Sequence, residues 1–248
     1  MGMAQATDFS IVVPTLQERG YIGRSLRHLR EERARTEFSF EVVVVDGGST
    51  DGTVEEAQGL AETVVTDAPE ARLNIAHARN AGAARASGTY LFHTDADVVV
   101  PDLGKLLARV YHEFEDPRVV AVTTMVMPYP WEATWRDRLI HRAVNAYLRG
   151  SIRAGLMFSR GECQIVRRSA FEEIGGYNTE FVSGEDCDLF RRLRKVGRVV
   201  FLPDLRVYHS PRRFRQLGYL RVLGIYTREA VWMGVLRRSY AREWKVVR

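Results

Sequence analysis

The sequence predicts an α/β fold, a mostly parallel central sheet covered by helices on both faces. Three observations predict it. Short β-branched runs alternate with longer amphipathic ones. The β-branched runs are continuously apolar, as strands buried on both faces require. The chain has 248 residues, 46% of them hydrophobic, enough for one large core.

In chain order, Ile11–Val13 reads as a strand stopped by Pro14, and 23–35 as an amphipathic helix. Val42–Val45 is a second strand, and Thr53–Ala61 the helix after it. Ile75–Ala86 is a helix, Tyr90–His93 a strand, 103–114 a helix and 119–123 a strand. The second half is less regular. Pro128-Tyr129-Pro130 breaks the chain before an expected helix over 131–149. Then come a strand over 162–167, a helix over 184–196, a strand over 198–202, and one or two helices over 214–236. Pro14, Asp46 and Asp95 each stand just beyond a strand. Ligands of such sheets bind there, so one crevice can collect these residues.

The formal charge is +5 but uneven. From Arg206 to Arg248 eleven Lys/Arg face two Asp/Glu, a net +9, whereas residues 1–205 hold 25 against 29, a net −4. An acidic body with a basic tail suggests an anionic partner such as phospholipid, nucleic acid or a phosphorylated substrate; the competing reading is a solvated basic face. Two cysteines cannot form a disulfide scaffold. The N-terminus lacks a signal-peptide pattern, and residues 1–8 read as a disordered tail. No uncharged apolar run reaches the roughly 18 residues of a membrane span. Leu217–Leu236 comes nearest, interrupted by Arg221, Arg228 and Glu229.

Five motifs carry candidate chemistry. In Asp46-Gly47-Gly48-Ser49-Thr50-Asp51-Gly52-Thr53 the glycines permit a sharp strand-to-helix turn. The Asp46 carboxylate can accept hydrogen bonds from a nucleobase or ribose, or it stands in a solvated loop. In Asp95-Ala96-Asp97 two carboxylates at a strand end can converge on a hard cation, which a departing diphosphate needs; otherwise they are exposed loop residues. In Ala78-Arg79-Asn80-Ala81-Gly82 the arginine can reach diphosphate oxygens and the small residues allow close packing, or Arg79 lies on a helix surface. Glu185-Asp186-Cys187-Asp188 opens a helix, where carboxylates suit both the dipole and the removal of an acceptor proton. His209 follows the last strand; His28, His77, His93, His112 and His141 read as packing or surface residues.

Taken in order, these stretches resemble the family-2 inverting glycosyltransferases of the GT-A fold. The matching segments are Val13–Glu18, Val45–Thr53, Ala78–Gly82, Thr94–Asp97, Gly175–Asn178 and Gly184–Asp188, spread over residues 9–210. The resemblance implies a nucleoside pocket of Pro14, Thr15, Leu16, Glu18, Asp46 and Ala96, with Arg79 near the diphosphate. It implies a metal, Mn²⁺ or Mg²⁺, held by Asp97 and His209, with Asp95 facing the ribose or the metal. Gly161 and Glu162 would lie in the loop beneath the donor sugar. Asp186 would be the base, with Glu185 contacting acceptor or sugar. The chain is also similar to dolichol-phosphate-mannose synthases, whose charged phosphate acceptor needs no base. It lacks the Gln-X-X-Arg-Trp signature of cellulose-synthase-like members.

The implied reaction moves a sugar, with GDP-mannose as the expected donor, to a hydroxyl of a lipid-linked or other glycan. A polyprenyl-phosphate sugar synthase and a metal-dependent nucleotidyltransferase are the alternatives. A nucleic-acid-binding module is set aside because no such motif is present. The expected organisation is a catalytic domain over 9–210 and a basic aromatic helical segment over 211–248. Trp131, Trp135, Leu139, Ala143 and Tyr147 recur at helical spacing among arginines, as do Phe214, Leu217, Leu220, Trp232 and Met233. Both stripes either lie on a bilayer surface or pack on the core. The expected location is the cytoplasmic side of a membrane, peripheral or once anchored by a segment no longer present, and otherwise the cytoplasm.

Overall fold

A computed structural model describes residues 7–236. The expected tail at 1–6 and the basic end at 237–248 lie outside the described residues, as do the side chains of 229–231 and 233–236, including Met233. Asp8, expected in the tail, exchanges hydrogen bonds with Ser39.

In chain order the elements are β1 (Phe9–Thr15), α1 (Tyr21–Glu32), β2 (Phe40–Asp46), α2 (Thr53–Ala57), β3 (Thr63–Val65), α3 (Ile75–Arg85), β4 (Tyr90–His93) and β5 (Val98–Val99). They continue with α4 (Leu103–Phe114), β6 (Val119–Pro128), α5 (Trp135–Arg153), β7 (Gln164–Arg167) and α6 (Arg168–Glu173). Last come α7 (Glu185–Val196), β8 (Arg198–His209), α8 (Arg212–Leu217) and α9 (Tyr219–Leu236).

The strands form one sheet in the order β3-β2-β1-β4-β7-β6-β8-β5. Four neighbouring pairs are parallel and three antiparallel, the latter all involving β7 or β5. The sheet is therefore mixed, with its parallel part at β3-β2-β1-β4. Every residue of β1 is buried, because helices cover both faces. On one face Ile11, Val13 and Phe92 pack with Leu26 of α1 and Leu107 of α4. On the other, α3 lies so close that a Cβ on Gly82 would come within 2.4 Å of Val12. Larger side chains in this helix would push it off the sheet.

Some boundaries differ from expectation for identifiable reasons. α5 starts at Trp135, not 131, because Thr134 and Asp137 form a capping box. β8 continues past Pro203 to His209; a register shift opposite Thr124 and Met125 absorbs the extra residues. That extension carries His209 antiparallel to Val98, beside the Asp95–Asp97 segment.

Candidate active site

The carboxyl ends of β1 and β4, the 158–162 loop, the start of α7 and the segment after β8 enclose a cavity of about 890 Å³. Pro14, Thr15, Leu16, Glu18, Asp95, Ala96, Asp97, Gly161, Glu162, Glu185, Asp186 and His209 all line it. Residues far apart in sequence thus reach one space, as the strand-end argument requires.

Two expected ligand-facing residues are placed otherwise. Asp46 does not line the cavity. Its Oδ2 accepts hydrogen bonds from the Gly48 and Ser49 N–H groups, both at 2.7 Å, and its Oδ1 accepts one from Thr15 Oγ1. It ties down the turn whose φ of +98° at Gly48 favours glycine. Arg79 does not line the cavity, and it is not on a helix surface. It is fully buried, donating to Glu185 Oε1 at 2.8 Å, Asp95 Oδ1 at 2.9 Å and the Gly161 carbonyl at 3.2 Å. It braces the end of β4, the 158–162 loop and the start of α7 from behind. Gly161 must be small: a Cβ there would stand 2.3 Å from Arg79 Nη2.

Further bonds fix this frame. Asn80 exchanges two hydrogen bonds with the Tyr177 backbone, docking the Gly175–Asn178 turn on α3. The Tyr177 hydroxyl donates to Gln164 Oε1, and Gln164 Nε2 donates to Ser159 Oγ and the Asp186 carbonyl. Thr94 Oγ1 donates to the Glu162 carbonyl.

The carboxylates at the head of α7 divide by environment. Asp188 is buried away from the cavity and ion-paired with Arg191 and Arg192, both at 2.6 Å, a structural arrangement. Asp186 lines the cavity. Burial pushes its carboxyl up to about 6 against the pull of Arg79. Burial and the neighbouring Asp186 push Glu185 up to about 8, again against Arg79.

The metal candidates do not form a ready cage. Among the described residues, no group of three or more His, Cys, Asp or Glu side chains converges to hold an ion. Asp95 is engaged by Arg79, and Arg212 Nη2 lies 3.4 Å from Asp97 Oδ2 while gripping Glu18 at 2.6 and 2.8 Å. The chemistry nonetheless fits a hard divalent cation. Asp97 is pushed up to about 8, by burial first and then by Asp95, Glu18 and Glu162, with Arg212 opposing. Such crowding of acids answers to added positive charge.

Sequence reasoning missed Arg212, Arg160 and His141. Arg160 ion-pairs with Glu162, which it and His209 hold near 2 despite burial. His141 is not a mere packing residue, since its Nε2 lies 2.8 Å from His209 Nε2. The available signal was Asp137, His141 and Asn145 at spacings of four, a polar row on one helix face that proves to be the buried one. His93 packs between Phe171 and Tyr177 as expected. The Trp135, Leu139 and Tyr147 side chains are 67%, 58% and 55% exposed, so this stripe does not pack on the core.

Comparison with known proteins agrees with this architecture. The sequence profile described as "Glycosyl transferase family 2" matches residues 10–175. The chain is 30% identical over 207 residues to the succinoglycan biosynthesis protein ExoA of Rhizobium meliloti, covering 80% of this chain and 62% of that one. It is 28% identical over 215 residues to the beta-monoglucosyldiacylglycerol synthase of Synechocystis, covering 74% of this chain and 42% of that one. It thus spans less than two thirds of either relative. The fold is similar to the mannosyltransferase PcManGT of Pyrobaculum calidifontis, solved with GDP-Man and Mn²⁺. That match has a TM-score of 0.68 and 23% identity, over 96% of this chain and 66% of that one.

Proposed function

The chain belongs to glycosyl transferase family 2, and from that premise we propose that it transfers a hexosyl group from a nucleoside-diphosphate sugar to a hydroxyl acceptor by one inverting displacement. The observation that carries this reading is Asp186, a cavity-lining carboxylate with its pKa near 6, sharing one space with the Asp95–Asp97 strand end. A base tuned close to neutrality is ionised and still basic enough to accept the acceptor proton. In this reading the acceptor oxygen attacks the anomeric carbon as its proton passes to Asp186. The nucleoside diphosphate leaves on the opposite face, with no second carboxylate required to protonate it.

Asp97 and His209 are the candidate ligands for a divalent cation, with Asp95 beside them. When bound, the cation neutralises charge on the leaving diphosphate. Mixed carboxylate and imidazole donors suit Mn²⁺ somewhat better than Mg²⁺. Pro14, Thr15, Leu16, Glu18 and Ala96 form the nucleoside side of the cavity in this scheme, and Gly161 and Glu162 the sugar side. Asp46 and Arg79 hold the walls. GDP-mannose is the donor we favour, a reading supported by likeness to the mannosyltransferase solved with GDP-Man and Mn²⁺.

A lipid-linked or other glycan acceptor fits the named relatives, one in succinoglycan biosynthesis and one a glucosyldiacylglycerol synthase. It also fits the exposed Trp131, Trp135, Leu139 and Tyr147 beside the exposed Arg136, Arg138 and Arg142. Such a face suits the headgroup region of a bilayer, most simply on its cytoplasmic side. No described helix is long and apolar enough to cross a membrane. We divide the chain into a catalytic part, 9–210, and an appended segment, 211–248, whose Phe214 and Tyr226 close one side of the cavity.

The test is product analysis across a panel of nucleotide sugars with Mn²⁺ and membrane extracts. Release of a nucleoside diphosphate together with a glycosylated acceptor is expected. Release of pyrophosphate would instead indicate nucleotidyl transfer, and thermal-shift screening of the same panel identifies the donor.

A further inference from the structure

We propose that the cavity contains a second subsite, walled by α5 and α9, for the hydrocarbon chain of the acceptor. The acceptor is then a membrane lipid that carries the reacting hydroxyl, a conclusion that rests on the proposed transfer to a hydroxyl at Asp186.

The first observation is a continuous apolar row. Trp135, Leu139, Ala143 and Tyr147 follow one another at intervals of four on α5, so they stand on one side of the helix. Trp135 and Leu139, at the outer end, are exposed. Ala143 and Tyr147 are exposed too, yet both also line the cavity, together with Val144 and Leu148. The row thus leads from the outer surface onto the cavity wall. α9 adds Leu223, Ile225 and Tyr226 to the same cavity. Among the described residues, neither helix brings a charged side chain to the lining; the charges come from strand ends, loops, α7 and α8. Walls of this kind give a sugar few hydrogen-bonding partners, whereas a methylene chain gains by being buried against them.

The second observation is where the row ends. The Tyr147 ring stacks on Phe158, with centroids 5.4 Å apart. Ser159, the next residue, donates its N–H to Cys187 Sγ at 3.3 Å, and Cys187 directly follows Asp186. The inner end of the row therefore abuts the segment that carries the proposed base. A chain lying along it directs its hydroxyl-bearing headgroup toward Asp186 and its tail back toward Leu139 and Trp135. Arg136, Arg138 and Arg142, all exposed, flank the outer end at the level where lipid phosphates would lie. That charge and the open apolar row together favour a lipid drawn from a bilayer over a free glycan.

The test measures binding of hexyl, octyl and decyl β-glucoside to the full chain by calorimetry, each below its critical micelle concentration. Methyl β-glucoside is the chainless control. Affinity should rise by up to about fourfold for each added methylene. Ala143→Glu places a carboxylate in the row and should abolish this dependence. Ala143→Leu, bulkier but apolar, should keep it. Ala143 is exposed, so both variants should melt with the wild type. A diazirine at the end of the octyl chain should label residues 143–148 or 158, as read by peptide mass spectrometry. Affinity independent of chain length, a dependence that survives Ala143→Glu, or label confined to 131–139 would each overturn the subsite. If chain-length dependence is present but no nucleotide sugar releases a nucleoside diphosphate, the chain site stands and hydroxyl transfer is what fails.

Discussion

Replacing Asp186 with Asn removes the proposed base while leaving the surrounding frame in place. Asp186 Oδ1 accepts the Cys187 N–H at 2.7 Å, and an asparagine oxygen can keep that bond. Gln164 binds the Asp186 backbone carbonyl, which the substitution does not touch. Glu185 is a poor substitute, because it is buried and tied to Arg79 at 2.8 Å. The full contribution of a general base should therefore be lost, about 10²- to 10⁴-fold in turnover. This corresponds to roughly 3–5 kcal/mol of activation free energy. Initial rates of nucleoside diphosphate release, with saturating donor and Mn²⁺ between pH 5 and 8, measure it. The wild-type rate should rise with pH through about 6, since the base works only when deprotonated, and the variant should lose this limb. An Asp186→Asn enzyme within threefold of wild type would refute hydroxyl activation by this carboxylate. It would favour an acceptor already charged, such as a polyprenyl phosphate.

Gly161→Ala puts a Cβ 2.3 Å from Arg79 Nη2, which three acceptors hold, so we expect about 1–3 kcal/mol of lost stability and reduced activity. A melting temperature equal to wild type would refute the brace. Trp135→Ser with Leu139→Ser should weaken sedimentation with anionic vesicles at least tenfold while leaving turnover of a soluble acceptor intact. Unchanged sedimentation would exclude this face as the lipid contact. Asp97 and Glu185 have folded-state pKa values near 8, above their ordinary 3.8 and 4.5. Their contribution to stability is thus full below those ordinary values and is lost as pH rises through about 8. The metal-free melting temperature should fall from pH 5 to pH 8.5, and Mn²⁺ with a nucleoside diphosphate should offset the fall. An equal fall with and without these ligands would contradict a cation at Asp97.

The parallel strands were legible because burial on both faces leaves β1, β2 and β4 as plain apolar runs. β3 and β5, at three and two residues, are too short to show a period. The reversed direction of β7 depends on the route of the preceding loop, which residue types do not encode. At the site, sequence gives the kind of group but not its direction. A carboxylate at the end of β2 suggested a ligand contact, yet Asp46 turns back onto its own loop. Arg79 suggested a phosphate contact, yet burial turns it onto three protein acceptors. His141 looked ordinary because its ring contact, His209, is 68 positions away in the chain.

The arginines sort the acids of this cavity into framework and chemistry. Glu162, ion-paired with Arg160 and facing His209, is held near 2 and stays charged. Asp188, with two arginines of its own, is structural and stands clear of the cavity. Arg212 commits both its short contacts to Glu18 and reaches Asp97 only at 3.4 Å. Asp97 is therefore under-neutralised, and added positive charge is most stabilising there. Burial raises the Asp186 carboxyl to about 6, and Arg79, which bonds Glu185 and Asp95 instead, opposes this only through space. A further guanidinium bonded directly to Asp186 would lower its pKa and blunt it as a base. In the proposed scheme, the shortage of arginine at these two carboxylates suits Asp97 to a cation and Asp186 to a proton.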